Sequence, residues 1–124
     1  MKIAIILINW HGADDTIACL ESLSKMTEPH TVVAGDNGST DDSVMRIQRW
    51  LDENADKPNV NGYKVVPLGN NYGFAVGNNK ALDVAMQDNP DYCMLLNNDT
   101  EVEPDFLNHL LRYATDNPQY RVLS

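Results

Sequence analysis

Short apolar segments alternate with amphipathic segments along the whole chain. The first apolar segment, residues 3–8, is continuous and rich in β-branched side chains, which is typical of a strand covered on both faces of a sheet. Residues 31–35, 63–68 and 91–96 form three further segments of this kind. Apolar side chains at helical spacing follow each of the four. This alternation predicts an α/β fold in which a mainly parallel sheet carries helices on both faces.

Residues with helix-capping chemistry lie where several of the predicted helices begin. Asp14 or Asp15 precedes the apolar positions of the first helix and is predicted to cap it. Ser39 and Asp42 have the spacing of a capping box ahead of the second helix. Pro104 stands ahead of the last helix, at a first helical position that tolerates proline.

Polar clusters directly follow the four predicted strands. They occupy residues 9–12, 36–42, 69–79 and 97–101, and the third leads into a helix whose apolar positions start at Ala81. The carboxyl ends of parallel strands share one edge of a sheet, where helix N-termini offer free N–H groups to anions. We therefore expect the clusters to form a ligand site at this edge.

The charge and the lengths of the apolar segments argue against nucleic acids and membranes as partners. The net charge is -9, whereas nucleic acids and anionic membranes attract basic surfaces. A divalent cation is a better match for such a chain. No apolar segment reaches the roughly 20 residues of a transmembrane helix. Cys19 and Cys93 lack metal-ligand spacing and are predicted to be buried free thiols, as expected in a reducing cytoplasm.

Several common catalytic and phosphate-binding motifs do not fit the chain. Gly69, Gly73 and Gly77 recur at every fourth residue after the third predicted strand, whereas the dinucleotide motif is G-x-G-x-x-G after the first strand. The P-loop motif and the G-x-S-x-G nucleophile elbow are absent from the sequence. The loop at residues 9–15 has no Lys or Arg for a triphosphate, which argues against a nucleotidyltransferase.

Two strand ends carry side chains suited to a nucleotide and a metal ion. Asp36 could accept a hydrogen bond from the imide N–H of uracil or thymine, with Asn37 contacting neighbouring polar atoms. Asp99 could bind Mg2+ or Mn2+ that bridges a diphosphate, while Asn97 or Asn98 holds a ribose hydroxyl or a water molecule. When each cluster is taken alone, ordinary Asx-turns and helix caps are the favoured explanation of the same residues.

Four motifs in order resemble the inverting family 2 glycosyltransferases of the GT-A fold. They are N-W-H-G at residues 9–12, V-V-A-G-D-N-G-S-T-D at 32–41, N-Y-G-F-A-V-G-N-N at 71–79 and L-L-N-N-D-T at 95–100. The resemblance covers essentially the whole chain. It implies a Rossmann-like sandwich that binds a nucleoside-diphosphate sugar and Mg2+ or Mn2+, and transfers the sugar to an acceptor hydroxyl with inversion. The common setting of the family is the synthesis of surface polysaccharides.

The resemblance also assigns roles to individual residues. Asp36 would read the base, which favours a UDP- or dTDP-sugar, and the loop from Gly73 to Asn78 would approach the ribose and diphosphate. Asp99 would be the metal-binding end of the DxD motif, although Asn97 stands where the family often has aspartate. The predicted nucleotide-sugar-binding residues are Asn9, Trp10, Gly12, Asp36, Asn37, Gly73, Phe74, Asn78, Asn97 and Asn98.

The length of the chain, 124 residues, is about half that of the family's domain. The family's general base lies in the second half, so it is expected beyond residue 124. We therefore expect residues 1–124 to be one domain, the donor-binding half of a truncated glycosyltransferase, binding donor without efficient turnover. Residues 121–123 would start a further strand. The alternative is a non-catalytic nucleotide-sugar-binding module, completed by a partner chain or by a second copy that covers the sheet edge. Either form is expected in the cytoplasm, or against the inner face of the membrane when full length.

Overall fold

A five-stranded parallel sheet forms the centre of the computed structural model, which describes residues 2–116 and 122–123. In chain order the elements are β1 (Ile3–Asn9), α1 (Ala13–Ser24), β2 (Thr31–Asp36), α2 (Ser43–Glu53), a 3-10 helix (Pro58–Gly62), β3 (Tyr63–Pro67), α3 (Phe74–Met86), β4 (Tyr92–Leu95), α4 (Phe106–Asp116) and β5 (Val122–Leu123). The strands lie in the order β3-β2-β1-β4-β5, and every neighbouring pair is parallel. The predicted parallel sheet is confirmed, including a strand at residues 122–123.

Two apolar cores lie on opposite faces of this sheet. Alternate side chains of a strand point to opposite faces, so Ile5 and Leu7 of β1 pack with residues of α1, α2 and α4 in one core. Ala4 and Ile6 of the same strand pack with α3 in the other core. A Cβ added to Gly35 would lie 3.1 Å from the Cβ of Ala81, so small residues allow α3 to approach closely. Helices on both faces are thus confirmed.

The predicted starts of the helices are wrong in detail. α1 begins at Ala13 after Gly12, and Asp14 and Asp15 lie in its first turn without a side-chain cap. α2 begins only at Ser43, with Asp42 at the N-cap position. The hydroxyl of Ser39 is bonded to Asp36, and the N–H of Ser43 donates to the carboxylate of Asp41. The last helix begins at Phe106, two residues after the proline predicted to start it.

The third helix begins earlier than predicted. The sequence places its first apolar position at Ala81, yet α3 already starts at Phe74. Gly73 precedes it with a φ of 79°, a conformation that glycine adopts readily. Most of the segment expected to be a loop is therefore the first two turns of a helix.

Two expectations concern the thiols and the membrane. Cys19 and Cys93 are both buried and free, as predicted. Within residues 2–116, each helix is too short or too polar to cross a bilayer.

Candidate functional site

Asn9 and Asp36 end two neighbouring strands and are paired in register. Both side chains are buried, and the Nδ2 of Asn9 donates to the Oδ1 of Asp36 at 2.9 Å. Ser39 donates its hydroxyl to the same oxygen at 2.7 Å and its backbone N–H to Oδ2 at 2.9 Å. A carboxylate has about four acceptor positions. Oδ2 therefore has an acceptor position that these protein groups do not use, in a side chain that is 2% exposed.

Thr16 of α1 connects Asn9 to the loop after β4. Its hydroxyl donates to the Oδ1 of Asn9 at 2.7 Å, and the Nδ2 of Asn98 donates to the hydroxyl oxygen at 3.1 Å. A Cβ added to Gly12 would lie 3.2 Å from the Nδ2 of Asn98, so the glycine leaves room for this contact. Thr16 was missed at the sequence level, although a hydroxyl at helical spacing from Leu20 on a buried face is a usable signal.

Asn37 joins the end of β2 to the segment before α3. Its Nδ2 donates to the Oδ1 of Asn71 at 3.2 Å and to the carbonyl of Gly73 at 3.1 Å. Its Oδ1 accepts the backbone N–H of Tyr72 at 3.1 Å. A Cβ on Gly77 would lie 3.1 Å from this amide. Asn37 thus holds the segment in place with both its Nδ2 and its Oδ1.

The predicted residues at the start of α3 differ in accessibility. Phe74 is 63% exposed, whereas Asn78 is buried and donates its Nδ2 to the carbonyl of Phe74 at 3.0 Å. The first-turn N–H groups of a helix attract anions. Phe74 and the helix start are accessible to a ligand, while Asn78 stabilises the first turn through this hydrogen bond.

Trp10 and Phe74 flank a cavity of about 260 Å³ at the carboxyl edge of the sheet. The cavity is lined by Ile8, Trp10, Asn37, Asn71, Phe74 and Asn98. The Trp10 side chain is 52% exposed and stacks on His11, with the ring centroids 4.3 Å apart. His11 has a φ of 52°, and its backbone N–H donates to Ser39 at 2.9 Å. The structure thus gathers residues from all four predicted clusters, since Asn98 comes from the fourth.

Asp99 and Asn97 lie in the exposed turn after β4. The backbone N–H of Thr100 donates to the carbonyl of Asn97 at 3.1 Å. Burial raises the pKa of the Cys19 thiol to about 12, and the carboxylates of Asp99 and Glu101 contribute to the rise. Both carboxylates are therefore within electrostatic reach of Cys19 in α1.

The way in which a metal ion could bind at Asp99 depends on the other metal-ligating side chains nearby. Among residues 2–116 and 122–123, no three His, Cys, Asp or Glu side chains converge on a possible cation site. Mg2+ is commonly held by one or two carboxylates together with substrate phosphates and water. Asp99 fits such a site when a diphosphate supplies the remaining oxygens.

An open parallel sheet with polar loops gathered at its carboxyl edge is the arrangement in which α/β proteins bind their ligands. The family model for Glycosyl transferase family 2 matches residues 4–123, so the chain belongs to this family. The resemblance identified from the four motifs is confirmed.

Solved structures place the chain in the GT-A fold, as predicted. TarS from S. aureus, residues 1–349, is 22% identical with a TM-score of 0.74, and the match covers 94% of this chain and 33% of that one. The longer TarS structure gives the same identity and TM-score over 95% of this chain and 20% of that one. The mannosyltransferase PcManGT from Pyrobaculum calidifontis, in complex with GDP-Man and Mn2+, is 19% identical with a TM-score of 0.77, covering 92% and 32%. The chain thus spans a third or less of these structures. No curated protein matches it.

Proposed function

We propose that this chain is the donor-binding part of a glycosyltransferase that uses a nucleoside-diphosphate sugar. The observation that carries the proposal is the cavity between Trp10 and Phe74, which lies where the polar ends of three neighbouring strands meet. Family membership supports it. A structure of the same fold, PcManGT, holds GDP-Man and Mn2+, which supports the same class of donor here.

The base is proposed to lie against the aromatic wall and to reach Asp36. The Oδ2 of Asp36 accepts the Ser39 N–H and has a further acceptor position. An imide N–H of uracil or thymine is the matching donor, so UDP- and dTDP-sugars are the proposed donors. The remaining predicted residues, Asn9, Gly12, Asn37 and Gly73, shape this pocket through the contacts described above.

The diphosphate is proposed to lie between the start of α3 and the turn at Asn97, Asn98 and Asp99. Asp99 would hold Mg2+ or Mn2+ together with phosphate oxygens. When bound, the ion neutralises charge that develops on the departing diphosphate. Because Asn97 replaces a carboxylate of the DxD motif, the site carries less charge, and we expect metal binding to require the nucleotide.

A thermal-shift panel tests this proposal directly. UDP, dTDP, GDP and CDP are each added with and without Mn2+, and Mn2+ is also added alone. A ligand at 100 times its dissociation constant stabilises the folded state by about 2.7 kcal/mol. We expect UDP or dTDP with Mn2+ to raise the Tm most, and Mn2+ alone to leave it unchanged.

Two variants separate the role of Asp99 from a general charge effect. Asp99→Asn should abolish the metal-dependent part of the shift, because the substitution removes the anionic metal ligand. Glu103→Gln removes an exposed carboxylate from the same segment and should leave the shift intact. Equal losses in the two variants, or no shift with any nucleotide in the unchanged chain, would refute the proposed site.

The proposal also covers catalytic turnover and the biosynthetic role of the enzyme. Transfer with inversion requires a general base for the acceptor hydroxyl, which the family resemblance places beyond residue 124. We expect residues 1–124 to bind donor without efficient turnover, and product formation by these residues alone would contradict this. Synthesis of a surface polysaccharide is proposed from the family setting alone.

A further inference from the structure

A continuous series of hydrogen bonds joins the two ends of the proposed nucleotide site. Asn98 donates to Thr16, Thr16 donates to Asn9, and Asn9 donates to Asp36. Ser39 then donates to the same carboxylate oxygen. The series crosses from the loop after β4, through α1, to the ends of β1 and β2. We refer to these five residues as the relay.

The middle of the relay is closed to water. Thr16 and Asn9 are both 0% exposed, and Asp36 is 2% exposed. A hydroxyl has one hydrogen to donate. Since the Thr16 hydrogen goes to the Oδ1 of Asn9, the other end of the Asn9 amide is directed at Asp36. The orientation of each side chain therefore depends on its neighbour in the relay.

The two ends of the relay lie at different parts of the proposed site. Asn98 lines the cavity and belongs to the turn that carries Asp99. Asp36 lies at the end assigned to the base. Thr16 touches neither end of a nucleotide itself, because it is buried in α1 behind Asn9.

We propose that Thr16 is a positioning residue that couples the base end of the site to the diphosphate end. Its hydroxyl holds the amides of Asn9 and Asn98 in the orientations that a nucleotide needs, and a change at either end reaches the other through it. This inference rests on the proposed function for its effect on nucleotide binding. The coupling within the relay is a property of the protein without ligand.

Substitutions at Thr16 test the effect on binding. Thr16→Val keeps the shape and removes the hydroxyl, whereas Thr16→Ser keeps the hydroxyl. Thr31→Val is the matched control, because it removes a hydroxyl that donates to the carbonyl of Ile3 at 3.3 Å, away from the relay. One well-made hydrogen bond corresponds to up to about a tenfold change in affinity.

The measurement is the affinity for UDP with Mn2+ by titration calorimetry. We expect Thr16→Val to weaken binding by about tenfold, with Thr16→Ser and Thr31→Val close to the unchanged chain. Unchanged affinity in Thr16→Val, or an equal loss in Thr31→Val, would overturn the positioning role and leave the proposed function intact.

A second measurement needs no nucleotide. The side-chain amide signal of Asn98 is followed by 15N NMR after Ser39→Ala, which changes the far end of the relay. We expect this signal to shift when Thr16 is present and to stay in place in the Thr16→Val background. A shift of equal size in both backgrounds would overturn the coupling.

If the Thr16→Val chain does not fold, another variant tests the relay by the same NMR measurement. Asn98→Ala breaks the relay at its partly exposed end, and it should shift the side-chain amide signal of Asn9 through Thr16. An unmoved Asn9 signal would refute the relay. If the unchanged chain binds no nucleotide, the proposed function fails, while these spectra still decide the coupling.

Discussion

Replacing Gly38 with alanine should disrupt the contact between two loops beside the candidate site. Gly38 lies between Asn37 and Ser39 and has a φ of 80°. A Cβ at this position would lie 2.5 Å from the carbonyl carbon of Asn70 and 2.6 Å from the backbone nitrogen of Asn71. These atoms belong to the main chain, so they cannot move away by a rotamer change. The loops after β2 and β3 must therefore separate.

The size of the effect follows from three terms. A positive φ costs a non-glycine residue about 1–2 kcal/mol, and overpacking adds about 1–3 kcal/mol. Alanine recovers about 0.4–1 kcal/mol by restricting the unfolded chain. We expect Gly38→Ala to lower the free energy of unfolding by about 1–5 kcal/mol. Gly69→Ala is the matched control, because its φ is 94° and a Cβ there meets nothing within 4 Å. It should cost about 1 kcal/mol.

The assay is urea unfolding of both variants, followed by circular dichroism. We expect Gly38→Ala to lower the urea midpoint much more than Gly69→Ala, and to weaken nucleotide binding because Asn37 and Ser39 shift with the loop. Equal destabilisation of the two variants would refute the close approach of the loops, since the φ term is common to both.

Two further predictions concern titratable groups in the core. Burial lowers the pKa of His30 from 6.5, and its hydrogen bond to the carbonyl of Glu28 opposes this only in part. As the pH falls, the unfolded chain therefore takes up the proton before the folded chain does, so the free energy of unfolding falls below about pH 6.5. In His30→Gln, the urea midpoint should depend less on pH. An unchanged pH dependence would contradict the assignment to His30. Burial also raises the pKa of the thiols of Cys19 and Cys93, that of Cys19 to about 12. Iodoacetamide at neutral pH should label both only in denaturant, and labelling of Cys19 in the native protein would show that the thiol is accessible.

The strands were predictable because their signal is local. β1 and β2 begin at the predicted residues, and each extends one residue further, to Asn9 and Asp36. A strand covered on both faces needs a continuous apolar segment, whatever the rest of the chain does. The polar residues that end these strands were therefore also identified from the sequence.

The helix starts were less predictable because a capping residue can have a better partner elsewhere. Ser39 has the spacing of a capping box, yet its hydroxyl donates to Asp36 and its oxygen accepts the N–H of His11. Similarly, the glycine- and asparagine-rich segment before Ala81 forms helical turns, because Asn37 fixes the entry to α3 at Gly73. Local propensity is a weak guide where such contacts compete with it.

The sequence by itself determined the alternation of strands and helices, and with it the edge at which the four polar clusters meet. Only the tertiary structure decided which polar atoms pair there. The contact from Asn98 to Thr16 joins residues 82 positions apart, and that from Asn9 to Asp36 spans 27. Periodicity indicates which face of an element is buried, and it can be read from residues within a few turns of one another. A hydrogen bond depends on positions within a few tenths of an ångström, and the packing of the whole sheet sets those positions.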